Sequence, residues 1–264
     1  MKLTKIKSVV SIVVLLAIVF ISLSFVNTIN SEEKYVFIVG VADYQGESID
    51  LNYSDDDALL FYKRMRKLGV KKENIVILLD ENATQLNIIK KMSKLFLKAD
   101  ENDQVIFFFS GHGAKGYFVP YDYNNLLSHK TVKLIFRQCK AKKKICFADA
   151  CYSGSIQKKI KSKSIKVDDS YTLKQDINGG VAVIMSSTGN ETSLEMGQLQ
   201  QGLFTYCLLD GLTGNADLNK DNTITVTELY KYTRENVLYG SQGTQTPIIF
   251  GNFDLDMPII QKKK

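Results

Sequence analysis

Five short runs of this chain are apolar at nearly every position, and they limit the available folds more than any other feature. Tyr35–Val41, Asn74–Leu79, Gln104–Phe109, Lys144–Ala148 and Gly180–Ser186 lack the alternation of polar and apolar residues that a half-wet strand shows. A strand without that alternation is covered on both faces. The stretches between them change to a helical period. Asp55–Leu68 puts Ala58, Leu59, Tyr62, Met65 and Leu68 on one face and stops at Gly69. Thr84 is placed to cap a helix running through Leu97, with Leu86, Ile89, Met92, Leu95 and Phe96 inward. Thr131–Lys140, Leu203–Leu212 and Thr227–Val237 also read as helices, and Pro247–Phe250 as a last strand. Strands alternating with helices predict an α/β fold, with a mostly parallel six-stranded sheet and helices on both faces.

The chain of 264 residues is long enough to bury a core around such a sheet. Its net charge of +6 comes from the ends: Lys2, Lys5 and Lys7 at one, Lys262, Lys263 and Lys264 at the other. The body between them is neutral, which argues against a nucleic-acid partner, since such binding needs a basic face. The first three lysines precede an uncharged apolar run from Ser8 to Val26, the pattern of an export signal or a single N-terminal membrane anchor over residues 1–30. Ser22 and Ser24 offer a weak cleavage spacing, so both outcomes stay open. Either way the body, residues 31–264, is expected outside the cytoplasm, touching a membrane only through that segment. Cys139, Cys146, Cys151 and Cys207 fit no C-x-x-C metal or redox pattern, and their pairing is open.

Active sites of parallel sheets gather at the carboxyl ends of strands, and two such ends carry reactive residues. One strand runs into Ser110-Gly111-His112-Gly113, the other into Asp149-Ala150-Cys151-Tyr152-Ser153-Gly154. Were the strands neighbours, a thiol and an imidazole would flank one crevice. The thiolate is a strong nucleophile and the imidazole can manage its protons near neutrality. The backbone N–H groups of Gly113 and Cys151 are candidates for an oxyanion hole. His129, in Ser128-His129-Lys130, reads as a surface residue.

These two motifs resemble the histidine and cysteine motifs of caspase-like cysteine peptidases, close to metacaspases and their bacterial relatives (peptidase family C14, clan CD). Val39-Gly40-Val41-Ala42-Asp43-Tyr44 and Ser54-Asp55-Asp56-Asp57-Ala58 are similar to that family's opening, and the likeness extends over residues 34–253. It implies the caspase–hemoglobinase fold and hydrolysis of peptide bonds in proteins or peptides by a Cys–His dyad. His112 would be the general base and acid, Cys151 the nucleophile. Tyr152 stands where metacaspases often have a second histidine, a place not asked to transfer protons. The resemblance also puts Asp149 and Ser110 in the S1 pocket, with a weaker case for Asp43. A buried carboxylate selects a cationic partner, so cleavage after Lys or Arg is expected; a structural carboxylate bonding backbone N–H groups is the alternative for Asp149. The stretch Ser155–Asn178, with six lysines, lies where family members are often cut between subunits. It is read either as an autoprocessing site or as a solvated linker. A catalytically silent caspase-like domain for binding or assembly is the competing functional reading. Nothing in the sequence speaks to oligomeric state.

Two more motifs stand out in the sequence. Residues 217–228 match the spacing of an EF-hand calcium loop through Asp217, Asn219, Asp221, Thr223, Thr225 and Glu228. Asn222 stands where glycine is usual, and an Asp/Asn-rich turn capping the next helix is the alternative. The dyad chemistry itself needs no cofactor. Gly111-His112-Gly113-Ala114-Lys115-Gly116 matches a dinucleotide fingerprint in letters only. It continues into Tyr117-Phe118-Val119-Pro120 rather than into the helix that must hold a pyrophosphate.

Overall fold

The computed structural model of the protein describes residues 32–46, 49–150, 180–187 and 193–261. The N-terminal segment 1–30 and the lysine-rich stretch 155–178 lie outside the described residues. Among the described residues no helix is long and apolar enough to cross a membrane.

The chain forms β1 (Lys34–Gly40), α1 (Ser54–Lys67), β2 (Ile75–Leu79), α2 (Gln85–Phe96) and β3 (Gln104–Ser110). Three short strands follow, β4 (Gly113–Ala114), β5 (Tyr117–Phe118) and β6 (Leu127–Ser128), then α3 (His129–Gln138) and β7 (Lys143–Asp149). The second part holds β8 (Val181–Met185), β9 (Glu195–Met196), β10 (Gln201–Gly202), α4 (Leu203–Asp210), β11 (Thr223–Thr225), α5 (Val226–Gly240), β12 (Ile248–Phe250) and β13 (Pro258–Gln261). The central sheet has six strands in the order β12-β8-β7-β3-β1-β2. All neighbours pair in parallel except β12, which runs antiparallel to β8 at one edge.

The fully apolar strands divide their side chains between two cores. Phe37, Phe107 and Phe109 face α2 and α3, packing with Ile88, Met92 and Phe136. Ile38, Phe108 and Phe147 face α1, α4 and α5, packing with Phe61, Phe204 and Leu229. Phe61 lies flat on Phe108 at a ring separation of 4.3 Å. Truncating a buried phenylalanine of this kind to alanine costs about 3–5 kcal/mol.

Helix faces differ from the sequence reading in detail. On α1 the buried positions are Ser54, Asp57, Ala58, Phe61 and Met65, so the inward stripe is rotated toward Phe61. On α2, Ile88 is buried while Leu86, expected inward, is 71% exposed. Helix α3 starts at His129, two residues early, because Ser128 Oγ accepts the Thr131 N–H at 3.0 Å. That corrects the surface assignment of His129. Its ring packs on Phe118 at 4.5 Å and its Nε2 is buried. Burial pushes the imidazole down to about 4, so it stays neutral. Cys139, Cys146 and Cys207 are buried free thiols. Burial raises Cys146 and Cys207 to about 12, which leaves both inert.

Candidate active site

The carboxyl ends of β1, β3, β7 and β8 meet along one edge of the sheet. Strands β3 and β7 are direct neighbours, with Ser110 paired to Asp149. The Val41 N–H donates to the Ser110 carbonyl at 3.0 Å and the Gly111 N–H to the Asp149 carbonyl at 3.1 Å. The two motif-bearing strand ends are thus adjacent, as expected. Cys151, two residues beyond the end of β7, lies outside the described residues, and with it one half of the dyad and of the oxyanion pair. Gly113, the other oxyanion candidate, opens β4 beside His112.

His112 is held from three sides. Its Nε2 sits 2.6 Å from the Ile49 carbonyl. A carbonyl only accepts, so Nε2 carries the hydrogen, which in the neutral ring makes Nδ1 the acceptor nitrogen. Its backbone N–H donates to the Tyr44 hydroxyl at 2.7 Å, and the tyrosine ring packs at a tilt against the imidazole, 5.1 Å between centroids. That hydroxyl donates in turn to the Val119 carbonyl at 3.4 Å. Tyr44 is buried, and burial raises its phenol far above the ordinary range, so it remains a neutral donor. Its own N–H donates to Asp50 Oδ1 at 2.8 Å, which ties the loop carrying Ile49 to the loop carrying Tyr44. Gly111, at φ +154°, has no room for a Cβ, which would stand 2.9 Å from the Tyr44 hydroxyl. Only glycine brings His112 against Tyr44 here.

Beside His112 lies a hollow whose lining includes Ser110, Asp149, Asp57, Ser193, Glu195 and Gly202. Of the three residues read as S1 candidates, Ser110 and Asp149 line this hollow together. Asp43 does not: it is exposed, outside the hollow, and its N–H donates to Asp80 Oδ1 at 3.1 Å. Asp43 follows the strand end directly and stays on the rim, whereas the second carboxylate comes from Asp57 in the first turn of α1. Asp57 Oδ2 accepts the Ser110 hydroxyl at 3.0 Å and its Oδ1 the Gly202 N–H at 3.1 Å. Asp149 Oδ1 accepts the Ser193 hydroxyl at 2.8 Å, while Oδ2 accepts the Thr205 hydroxyl at 2.8 Å and the Thr205 N–H at 3.2 Å. Buried Gln245 steadies that wall, donating to the Ser186 carbonyl and to Ser193 Oγ and accepting the Leu194 N–H. Glu195 accepts the Asn52 and Tyr53 N–H groups at 2.9 and 3.0 Å and so closes the start of α1. Burial is the main cause that raises both Asp57 and Asp149, and for Asp57 the Asp149 charge raises it further.

With an imidazole, a dicarboxylate hollow and the cysteine-bearing strand at one sheet edge, the family can be stated. The sequence profile of the caspase domain, peptidase family C14, matches residues 33–255. The chain belongs to the caspase-domain family. The crystal structure of protein GSU0716 from Geobacter sulfurreducens shares the fold at a TM-score of 0.65 and 15% identity, over 88% of this chain and 100% of that one. No curated protein matches the chain. Family membership indicates a cysteine peptidase acting on protein substrates.

The 217–228 loop lies in a separate part of the caspase domain. Asp217 accepts the Asp221 and Asn222 N–H groups at 3.1 and 3.0 Å, and Asp221 accepts the Thr223 N–H at 2.7 Å. Asn222 takes the left-handed conformation, φ +69°, that the sixth place of a calcium loop needs. Glu228 closes a capping box with Thr225. Among the described residues no three His, Cys, Asp or Glu side chains gather as metal ligands.

Proposed function

We propose that the protein is a cysteine endopeptidase that cleaves after arginine or lysine, with Cys151 as nucleophile and His112 as general base and acid. The observation that carries the specificity is the pair of buried carboxylates, Asp57 and Asp149, in a hollow next to His112. Among the described residues all their hydrogen-bond partners are neutral donors, so a cation is the side chain this hollow suits. In the first step the Cys151 thiol gives its proton to Nδ1 of His112 and its sulfur attacks the scissile carbonyl. The developing oxyanion is received by backbone N–H groups, with Gly113 and Cys151 as the candidates. His112 then returns the proton to the leaving amine. Residues 1–30 act either as an export signal that is cleaved or as a single N-terminal membrane anchor for an exported domain. The lysines of 155–178 are sites the enzyme itself cuts.

The test is a set of fluorogenic peptides ending in Arg, Lys or Asp, offered to the parent chain and to Cys151→Ala, with and without calcium. Turnover of the Arg and Lys peptides that is lost in Cys151→Ala supports the assignment. Turnover of the Asp peptide alone, or none at all, overturns it. A rise on adding calcium that Asp217→Asn removes supports calcium binding at 217–228, and an unchanged rate removes calcium from the account.

A second expectation concerns Tyr44. Tyr44→Phe keeps the ring and deletes the hydroxyl that receives the His112 N–H. A buried backbone N–H left unmade costs about 1–3 kcal/mol, and the imidazole can shift to recover it. The expected result is a kcat lower by about 10-fold or more with KM unchanged, which follows from about 1.4 kcal/mol of lost positioning. Steady-state kinetics of both proteins check it; a change in KM alone contradicts it.

A further inference from the structure

The hollow beside His112 has an imbalance of charge that its walls only half correct. A Cβ built on Gly202 would stand 2.6 Å from Asp149 Oδ2 and 2.9 Å from Asp57 Oδ2, so the two carboxylates converge on one point. Both aspartates are buried, at 2% and 5% exposure. Among the described residues their hydrogen-bond partners include three hydroxyls and two backbone N–H groups, all neutral.

Two helix starts face the pair. Asp57 sits in the first turn of α1, and the Gly202 and Thr205 N–H groups belong to the start of α4. A helix N-terminus acts as roughly half a positive charge. Two of them offset about one of the two carboxylate charges, leaving about one negative charge on two carboxylates that are themselves buried. Buried like charges of this kind do not both ionise unless a cation joins them. Among the described residues the other titratable groups facing the pair do not supply one. Glu195, on β9, is itself acidic and is occupied by the Asn52 and Tyr53 N–H groups. Cys207, on α4, is a neutral thiol. His112, beyond β3, gives its Nε2 hydrogen to Ile49.

From this geometry we infer that the empty pocket holds one proton shared between Asp57 and Asp149, and that a cationic side chain enters in exchange for it. The balance is simple. The protonated pair plus a guanidinium gives the fully ionised pair with the guanidinium seated between its carboxylates, and one proton leaves to solvent. The guanidinium keeps its own charge throughout. The consequence is that binding tightens as pH rises. Over the range in which one proton leaves, Kd falls tenfold per pH unit. It levels off once the empty pair has lost its proton unaided. A pocket with a single ionised carboxylate would bind the same ligand with no such slope.

The inference rests on the basic-residue reading of the pocket but not on catalysis, so it is tested in the inactive full chain, Cys151→Ala. An arginine-terminated tetrapeptide amide is titrated calorimetrically at pH 7 in phosphate and in Tris, which differ widely in heat of ionisation. The expected result is about one proton released per peptide, read from the difference in heats, with the release retained in Cys151→Ala/His112→Ala. Heat that does not depend on the buffer overturns the exchange while leaving the pocket reading intact. Release that vanishes with His112 assigns the proton to the imidazole and also overturns it. No heat in either buffer overturns the pocket reading and the exchange together. Asp57→Asn, if it folds, should bind without releasing a proton; the buffer comparison in the parent chain decides the matter alone if it does not.

Discussion

Asp149→Asn is expected to lower kcat/KM for arginine peptides by about 10³-fold, with the loss in KM as much as in kcat. Removing one partner of a buried charge pair costs about 3–5 kcal/mol, and about 4.1 kcal/mol corresponds to three decades. The asparagine fits the space. Its oxygen can accept from Thr205 while its amide donates to Ser193 Oγ, which already stands 2.8 Å from Asp149. The loss therefore comes from charge rather than from a collapsed wall, and melting curves separate the two. Burial raises Asp149, so the folded state holds a proton more tightly than the unfolded chain does. Such a group stabilises fully below the ordinary carboxylate range, and that contribution is lost as pH rises through the raised value. Asp149→Asn removes this loss. The variant should melt at or above the parent temperature at alkaline pH while losing turnover of basic substrates. A variant that melts lower at every pH, or that cleaves arginine peptides as the parent does, contradicts the expectation.

Much of this was legible in the sequence because burial on two faces leaves a plain mark. The run Val105–Phe109 admits no other reading than a covered strand, and the residues just past such strands, Ser110 and Asp149, fall where the sheet ends. Adjacency of β3 and β7 was a condition of the sequence argument, and the structure supplies it. Asp57 was harder to see. Three aspartates in a row at a helix start look like solvated N-terminal charges, and the stripe drawn through Leu59 and Tyr62 turned Asp57 outward. Including Phe61 rotates the stripe and brings Asp57 to the buried side, one turn before it. Asp43 entered through the family resemblance of the opening motif, and a likeness of sequence does not set which way a rim residue faces. Ser193 and Gln245 left no signal, since a lone polar residue between elements looks the same whether it braces a wall or meets water. The strands β4, β5 and β6 are two residues each, too short for any period to register.

His112→Ala is expected to reduce kcat by about 10⁴-fold with little change in KM for arginine peptides, at the upper end of what a positioned acid and base contributes. The imidazole is oriented before substrate arrives: Ile49 fixes the Nε2 hydrogen and Tyr44 fixes the backbone beneath the ring. An orientation made in the free enzyme serves the transition state rather than the ground state, so its removal shows in kcat. The basic side chain of the substrate is held elsewhere, by Asp57 and Asp149, and the alanine variant keeps both. The same substitution separates the two aspects of the site. Asp149→Asn moves KM together with kcat and changes the pH dependence of binding, while His112→Ala moves turnover alone. Tyr44→Phe falls between wild type and His112→Ala on the same axis, because it loosens the imidazole without deleting it. Kinetics of the three variants on one arginine peptide check this ordering. If His112→Ala raises KM as steeply as it lowers kcat, the imidazole is part of the binding wall and the division of labour is wrong. If it leaves both unchanged, His112 does not take the proton and the dyad assignment falls.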